Sequence, residues 1–288
     1  MSFVKRLITV TLQLGSGDFG ENTGDTVTME GLRCSVQITK AGGRAADTAN
    51  IRVWGVTPDI MNKATRTGKP LTYPRNNIVT VAVGDADKGM SVVFSGMVQS
   101  AYGEFSDPPN ASLNIVSISN AVALAAPVKP QTFPNGADIV VVMEQIAASM
   151  GKNLVNWGVS GIQLPTAYFS GTAIQQMHKA ADAAGINPYT TDGNPLEIWP
   201  KNGTRGGSVP LISPATGLVG YPAYCDVGIQ IRTLYMPGLN YGAQFTLDTS
   251  ITNAKGPWNI WALSYDLESE MPDGPWFADI TAYRPTTG

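Results

Sequence analysis

The sequence predicts a mainly β chain of the α+β class, in which two β-barrels flank a small α+β module. Apolar and polar residues alternate with period two in many short segments before residue 127 and after residue 207, as is typical of half-buried strands. Between those positions apolar residues recur at helical spacing. The 288 residues include 31 glycines and 20 prolines, which favour turns between short strands. We therefore expect an N-terminal barrel over residues 1–126, the α+β module over 127–207 and a C-terminal barrel over 208–288.

The composition limits the classes of partner. Hydrophobic residues make up 43% of the chain, enough to bury real cores, and charged residues make up only 14%, against roughly 25% in an average soluble protein. Such low charge favours a protein with much of its surface in protein contacts. The net charge of -3 comes without basic clusters, so we expect no specific DNA binding. The chain has neither an apolar run near the ~20 residues that span a bilayer nor a signal-peptide pattern at its start, so we expect assembly in the cytoplasm without membrane insertion.

Two strand patterns begin the N-terminal region. Leu7–Leu14 alternates without interruption. The longer run Thr26–Lys40 alternates too, but the parity of its apolar residues changes between Met29 and Leu32. One inserted residue in a strand is a β-bulge, and glycine tolerates the backbone that a bulge requires. We therefore expect a single, strongly bent strand with a bulge at Gly31.

The rest of the N-terminal region predicts one helix and four strands. Thr57 is a suitable N-cap and Pro58 suits the first helical position, so a short helix should start there and end by Gly68. The expected strands are Ala49–Val56, Asn77–Val83, Met90–Tyr102 and Ser112–Ser119.

The central region starts with a linker pattern and then a helix. Ala126–Asn135 contains three prolines, which is typical of a linker. Apolar residues from Ile139 onward then fall on one helical face, with Asp138 as the expected N-cap and Gly151 as the expected stop.

A second helix and a hairpin complete the central module. Thr172 with Gln175 three residues later is a capping-box pattern, and Gly185 should end that helix. The dipeptide Asp192-Gly193 predicts a turn between two short strands, the second of which ends at Trp199.

The C-terminal region predicts four alternating strands separated by turns. Proline and glycine mark the turns because proline presets φ and glycine permits positive φ. The turns are Pro237-Gly238, Gly256-Pro257 and Met271–Pro275. The strands are Val227–Tyr235, Gly242–Leu247, Trp258–Leu267 and Trp276–Ala282.

The order of four short motifs resembles a known family. The segment Leu211–Pro222 has the pattern Leu-x-x-Pro-x-x-Gly-Leu-x-Gly-x-Pro; a Met-Pro-Gly loop, a Gly-Pro-Trp strand entry and a closing Gly-Pro-Trp-Phe strand follow it. This order resembles the C-terminal barrel of phage baseplate hub proteins, and the segment Val93–Val98 resembles the barrels of hub and tail-tube proteins. The residues to which these motifs and the bulge assign structural roles are Gly31, Gly96, Gly217, Gly220, Pro237, Gly238, Trp258 and Trp276.

The resemblance implies a structural protein of the virion tail baseplate. Hub proteins of this kind, which are related to type VI secretion spike hub domains, contain two tail-tube-like β-barrels around a small module. The implied assembly is a homotrimeric ring that adapts a sixfold tail tube to a threefold central spike and lines the DNA channel of a contractile or similar tail. The implied partners are the tail-tube protein, the central spike protein, other baseplate proteins and the tape measure protein, with genomic DNA passing through without specific binding.

The sequence contains few candidate catalytic residues. His178 is the only histidine, and its helical neighbours Gln176 and Lys179 favour a solvated face over a general base. Cys34 and Cys225 lie in apolar runs, which favours buried reduced thiols over a disulfide. One histidine and two distant cysteines cannot form a transition-metal ligand cluster, so we expect no metal, no cofactor and no enzymatic activity.

A glycan-binding or cell-wall-degrading tail protein is the alternative reading. Asp266, Glu268 and Glu270 alternate with other residues, so they would share one strand face or lie in the loop that follows. A polar strand edge without any catalytic role gives the same pattern. Trp258 and Trp261 lie three residues apart in a strand, so their side chains face opposite sides and at most one is in the core. Clustered exposed aromatic residues next to paired acids would favour this alternative.

Overall fold

The computed structural model describes residues 5–20, 24–40, 42–65, 76–85, 87, 89–106 and 109–285. Within these ranges the chain is mainly β with a few helices, as the sequence predicts. None of the described helices is long and apolar enough to cross a membrane. Gly68, the expected end of the first helix, lies outside the described residues.

Seven strands and one helix occur in the described part of the N-terminal region. Helix α1 is capped by the side chain of Thr57, which accepts a hydrogen bond from the Ile60 amide, with Pro58 in its first turn, as predicted. The elements are β1 (Arg6–Gln13), β2 (Thr26–Met29), β3 (Cys34–Lys40), β4 (Thr48–Trp54), α1 (Pro58–Ala64), β5 (Ile78–Asp85), β6 (Gly89–Glu104) and β7 (Ser112–Ile118).

The central module packs two helices against short strands around its own apolar core. The predicted caps are confirmed: Asp138 caps one helix, and Thr172 and Gln175 form the capping box of the other, which Gly185 ends. The elements are α2 (Ala121–Ala125), β8 (Gln131–Phe133), β9 (Ala137–Asp138), α3 (Ile139–Ser149), β10 (Leu154–Asn156), β11 (Gln163–Leu164), β12 (Ala167–Phe169), α4 (Ala173–Ala184), β13 (Ile186–Tyr189) and β14 (Leu196–Pro200).

The C-terminal region contains six strands between residues 208 and 285. The period-two burial predicted for them is confirmed; in the strand Ile229–Leu234, for example, Ile229 and Ile231 are buried while Gln230 and Arg232 are exposed. The strands are β15 (Leu211–Ile212), β16 (Leu218–Tyr224), β17 (Ile229–Leu234), β18 (Gln244–Leu247), β19 (Gly256–Ser269) and β20 (Trp276–Tyr283).

The N-terminal and C-terminal strands belong to one sheet. Its order is β16-β17-β20-β19-β3-β4-β7-β6-β5-β1-β2, with β18 added beside the first half of β19 and β15 beside β18. The joint is the antiparallel pairing of β19 with β3, from Leu263 opposite Lys40 to Ser269 opposite Cys34. A single apolar core includes buried residues from both regions.

The described strands do not close into a barrel, because β16 and β2 each pair on one side only. The start of β1 nevertheless approaches the turn after β19. There Arg6 Nη1 donates a 3.3 Å hydrogen bond to the Gly274 carbonyl, and Lys5 Nζ lies 2.6 Å from a carboxylate oxygen of Glu270.

Three local predictions need correction. The expected bulged strand through Gly31 is two strands, β2 and β3, which pair with different partners; Gly31 lies in the bend between them with φ of +65°. The parity change therefore marks a change of partner strand. The expected linker Ala126–Asn135 contains β8, whose backbone pairs with β12. Gly256-Pro257 begins β19, and the turn before it is a 3-10 helix at Thr252–Ala254.

Candidate functional site

The eight strands from β16 to β6 have one apolar face and one polar face. Along β3, for example, Val36 and Ile38 are buried in the core while Gln37 and Thr39 are exposed. The polar face is therefore a large accessible surface of the sheet. Its polar residues include Gln37, Thr39, Asn50, Arg52, Glu104, Asn114, Gln230, Arg232, Ser264, Asp266, Glu268, Asp279 and Thr281.

These eight strands contain an internal structural repeat. A one-residue bulge interrupts the β6–β7 ladder at Gln99, and a one-residue bulge interrupts the β19–β20 ladder at Trp261. When these bulges are superposed, the pairing order β6-β7-β4-β3 coincides with β19-β20-β17-β16. In addition, β5 pairs with the first half of β6 as β18 pairs with the first half of β19. The eight strands are therefore two similar four-stranded groups joined edge to edge.

The repeat extends to an arginine on the polar face. Arg52 on β4 and Arg232 on β17 fall at equivalent positions, opposite Asn114 and Asp279 respectively. Arg52 Nη2 lies 3.0 Å from a carboxylate oxygen of Glu104, and Arg232 makes two hydrogen bonds of 2.7 and 2.8 Å to Asp279. The hydrogen bonds to Asp279, and then its charge, raise the pKa of Arg232. Both arginines are thus paired with acids within the same face.

A buried polar network joins the three sequence regions. The Tyr189 hydroxyl from the central module donates a 2.6 Å hydrogen bond to Oδ2 of Asp47, and Lys40 Nζ donates one of 3.2 Å to Oδ1 of Asn240. Burial raises the pKa of Asp47 although Tyr189 and Lys40 act to lower it. Burial lowers the pKa of Lys40 to about 8, against the opposing effect of Asp47. The Tyr189–Asp47 bond fixes the central module to the N-terminal region, and the Lys40–Asn240 bond joins the N-terminal and C-terminal regions.

A second buried polar contact, within the central module, is an arginine–carboxylate pair. Arg205 binds both carboxylate oxygens of Glu197, and Glu197 also accepts a 2.7 Å hydrogen bond from the indole nitrogen of Trp157. Both charged side chains are largely buried. The two hydrogen bonds between them offset the free-energy cost of removing the two charges from water. The sequence offered no signal for this pair, because neither residue lies in a recognisable motif.

An open aromatic groove lies between the central module and the C-terminal strands. Its volume is about 470 Å³, and Trp261 and Tyr283 contact each other in it edge to face, with ring centroids 6.2 Å apart. Trp199 and Tyr241 contribute to its floor, and no acidic residue occurs among the described residues that line it. The prediction that Trp258 and Trp261 face opposite sides is confirmed, since Trp258 is 3% and Trp261 48% exposed.

The residues with predicted structural roles lie at several separate points. Gly96 approaches another strand closely, since a Cβ atom there would lie 2.7 Å from the Ile118 carbonyl oxygen. Pro237 and Gly238 form the predicted turn between β17 and β18. Trp258 and Trp276 are buried in the main core. Gly217 lies immediately before β16 and Gly220 within it.

His178 lies on α4, one helical turn from Asp182. It is half-buried; burial and then the nearby Arg44 charge lower its pKa, and Arg44 itself ion-pairs with Asp182. The expectation of a solvated face is wrong for Gln176, which is fully buried and donates hydrogen bonds to the Lys129 and Gly171 carbonyls.

The three candidate acids do not form one cluster. Asp266 and Glu268 project from the polar face of β19, whereas Glu270 lies beyond the strand and pairs with Lys5. Among the described residues no group of three or more His, Cys, Asp or Glu side chains could hold a metal ion. Cys34 and Cys225 are both free, the first buried and the second partly exposed.

Comparisons with known proteins agree with this architecture. A family model described as baseplate hub gp41 matches residues 7–280. A tail protein from Neisseria meningitidis MC58 and a 43 kDa tail protein of prophage MuSo2 from Shewanella oneidensis are similar in structure, with TM-scores of 0.65 and 0.64. In each case the identity is 10% and the match covers 96% of both chains.

A third similar structure comes from a secretion system. The E. coli c3393 protein, a component of the type VI secretion system, gives a TM-score of 0.57 at 10% identity, over 88% of this chain and 74% of that chain. At such low identity these structures establish a shared fold. A search of curated protein sequences found no match.

Proposed function

Because this chain belongs to the baseplate hub gp41 family, we propose that three copies of it form a ring that joins the tail tube to the central spike of a phage tail. Family membership places the protein in the baseplate of the virion tail. Beyond the family, we propose the ring, its neighbours in the tail and its channel. We also propose that the chain has three units, 1–126, 127–207 and 208–288, and that its two β regions act as tail-tube-like barrel units.

The observation that carries the proposal is the internal repeat within one sheet. Each chain supplies two similar four-stranded groups. Three chains related by a closed threefold axis therefore supply six similar groups, which can meet a sixfold tube on one side, while the chains themselves meet a threefold spike on the other. A single chain with one such group would offer only threefold symmetry to the tube.

The polar face of the eight strands is the proposed channel lining. Its strands carry the acids Glu104, Asp266, Glu268 and Asp279, and the cations Arg52 and Arg232 are each paired with an acid. Every phosphate contact with a free cation would add a salt-dependent attraction and retard DNA movement. A face with paired arginines and surplus carboxylates lets DNA pass without adhering, which suits genome ejection.

A structural role also suits the chemistry of the chain. The Asp182 carboxylate, one helical turn from His178, ion-pairs with Arg44, and the candidate acids Asp266 and Glu268 share a strand face with the paired arginines. We therefore propose that the protein is not an enzyme and uses no cofactor. Its partners are further copies of itself, the tail-tube protein, the central spike, other baseplate proteins and the tape measure protein.

The test is electron cryomicroscopy of the tail tip. We expect density for three copies of this chain around the central channel, between tube and spike, with the polar face toward the lumen. Six equivalent copies, or copies at the outer periphery of the baseplate, would contradict the proposal.

The glycan-binding alternative has one possible location, the groove with Trp261 and Tyr283, because exposed aromatic rings can stack on sugars. The groove lacks the paired acids that glycosidic cleavage requires among its described lining residues. Glycan-array binding that is lost in Trp261→Ala, together with a peripheral position in the tail, would favour this alternative. Blank results in binding and cell-wall digestion assays would favour the hub.

A further inference from the structure

A buried lysine of the sheet lies beside an amide side chain from the other end of the sequence. Lys40, the last residue of β3, is 7% exposed, and its Nζ donates a 3.2 Å hydrogen bond to Oδ1 of Asn240. The two residues are 200 positions apart and belong to the N-terminal and C-terminal regions. A carbonyl bond is about 1.23 Å long, so Nζ lies within about 4.5 Å of Cγ of Asn240. The amine is thus close to an electrophilic carbon.

Lys40 has the surroundings of a nucleophilic amine. A charged ammonium group has three N–H donors, but among the described residues Asn240 is the one hydrogen-bond acceptor for Lys40. Burial lowers the pKa of Lys40 to about 8 against the opposing effect of Asp47, and the Arg205 charge acts in the same direction as burial. Removal from water and a nearby cation both favour the uncharged amine, which is the form that attacks a carbonyl.

The amide of Asn240 is held in place and polarised. Its Oδ1 also accepts a 3.0 Å hydrogen bond from the backbone N–H of Tyr241. The Tyr265 hydroxyl donates a 2.7 Å hydrogen bond to the carbonyl of Leu239, which fixes the chain just before Asn240. A backbone N–H aimed at a carbonyl oxygen stabilises the negative charge that develops there when a nucleophile attacks. The Tyr241 N–H can therefore serve as an oxyanion donor.

A buried carboxyl group can carry the proton that such an attack must move. Asp47 is 2% exposed, and its Oδ1 has no hydrogen-bond partner among the described residues. The charges of Asp47 and Lys40 each act on the pKa of the other group. Burial raises the pKa of Asp47 and lowers that of Lys40. Because the two pKa values approach each other, moving a proton between the groups costs less free energy than it does in water.

We propose that Lys40 and Asn240 react with each other to form an isopeptide bond within the chain, with Asp47 as the proton carrier. Nζ of Lys40 attacks Cγ of Asn240 and forms a carbon–nitrogen bond, and the bond from Cγ to Nδ2 breaks. One proton passes from Nζ through Asp47 to Nδ2, which leaves as ammonia. One amide replaces another, so the reaction needs no oxidant, reductant or further reactant, and the escape of ammonia drives it forward.

The bond would tie the end of β3 to the segment that precedes β18. The two β regions are otherwise joined by the noncovalent pairing of β19 with β3. A covalent link between residues so far apart restricts the unfolded chain, as a disulfide that closes a long loop does. All the reacting groups belong to one chain, so the inference does not depend on the proposed ring. Lys40 remains a titratable amine only in chains in which the bond has not formed.

Intact-mass spectrometry of the folded, purified chain, denatured for the measurement, tests the bond. We expect a mass lower than that of the sequence by one ammonia molecule and, after proteolysis, a branched peptide that joins Lys40 to Asn240. Lys40→Met should have the full mass of its own sequence. Folded wild-type chains with the unreacted mass would overturn the proposal. Ammonia loss confined to an Asn-Gly bond, such as Asn202-Gly203, would also overturn it.

A second lysine–asparagine contact provides a matched control. Lys152 Nζ also lies 3.2 Å from an asparagine oxygen, Oδ1 of Asn120, but it donates to Thr190 and Thr191 as well, which favours its charged form. Lys152→Arg should therefore keep the ammonia deficit of the wild type. A deficit that disappears in Lys152→Arg and persists in Lys40→Met would overturn the assignment to Lys40.

The role of Asp47 is tested by Asp47→Asn, which keeps the shape of the side chain but cannot carry a proton in the same way. Folded Asp47→Asn should retain the unreacted mass or lose ammonia much more slowly than the wild type. Loss at the wild-type rate would overturn the role of Asp47. The wild-type mass and the branched peptide decide whether the bond exists even where Asp47→Asn does not fold.

Discussion

The hydroxyl of Tyr189 lies 2.6 Å from Oδ2 of Asp47, a hydrogen bond between the central module and the N-terminal strands. Asp47 is 2% exposed, and its other carboxylate oxygen has no hydrogen-bond partner among the described residues. Tyr189 is thus a principal donor to a buried carboxylate. The contact makes the attachment of the module sensitive to a single hydroxyl group.

Tyr189→Phe should lower the free energy of unfolding by about 1–3 kcal/mol, the cost of leaving a buried polar group unsatisfied. The hydrogen bond acts to lower the pKa of Asp47, so its loss raises that pKa further. A carboxyl with a raised folded-state pKa gains relative stability as pH falls, so the deficit should shrink in acid. Urea unfolding of the wild type and Tyr189→Phe at several pH values measures this deficit. The control is Tyr168→Phe, which changes an exposed tyrosine. A deficit independent of pH would contradict this account of Asp47.

Lys40 should make stability rise with pH in the weakly alkaline range. Its folded-state pKa of about 8 lies below the ordinary value of 10.5, so between these values the unfolded chain binds more protons. The free energy of unfolding therefore increases with pH between these two values and levels off below about pH 8. Between pH 7.5 and 9 we expect a rise on the order of 1 kcal/mol relative to Lys40→Met. The pH dependence of stability in Lys255→Met, at an exposed lysine, should match that of the wild type. If Lys40→Met also matches it, burial does not shift the pKa of Lys40.

The two cysteines should differ strongly in reactivity. Cys34 is 2% exposed, and burial, with a smaller contribution from Glu268, raises its pKa to about 12. The thiolate is the reactive form, so Cys34 should react with a maleimide only after unfolding, whereas the partly exposed Cys225 should react in the folded, isolated protein. Counting modified thiols by mass spectrometry measures this. Rapid labelling of folded Cys225→Ser would contradict the burial of Cys34.

Local sequence patterns predicted the elements well because their causes are local. The cap at Thr57 and the capping box at Thr172 require only neighbouring residues, and both are present as predicted. The alternation of Ile229 with Gln230 likewise follows from the pleat of one strand. Such features depend on backbone geometry over a few residues, and the sequence contains all the information needed.

Partner choice between distant strands was not predictable in the same way. The parity change at Gly31 has the same appearance in sequence whether it is a bulge in one strand or a bend between two, and only the pairing of β3 with β19 distinguishes them. The network of Asp47, Tyr189 and Lys40 depends on that same long-range packing. Arg52 and Arg232 carry a repeat that becomes visible only when the bulges at Gln99 and Trp261 are superposed.

Two glycines with the same backbone conformation provide the last prediction. Gly31 and Gly42 both have φ of +65°, but a Cβ atom at Gly31 would meet nothing within 4 Å, whereas at Gly42 it would lie 2.0 Å from the ring of Tyr241. Gly31→Ala should therefore cost only the left-handed backbone strain, about 1–2 kcal/mol. Gly42→Ala adds displacement of a ring packed against Tyr189 and Trp199, so it should cost at least 1 kcal/mol more. Denaturant unfolding of both variants isolates the packing contribution, because the strain is common to the two. Equal losses would mean that Tyr241 can move aside freely, and the cluster of Tyr189, Trp199 and Tyr241 would then not be tightly packed.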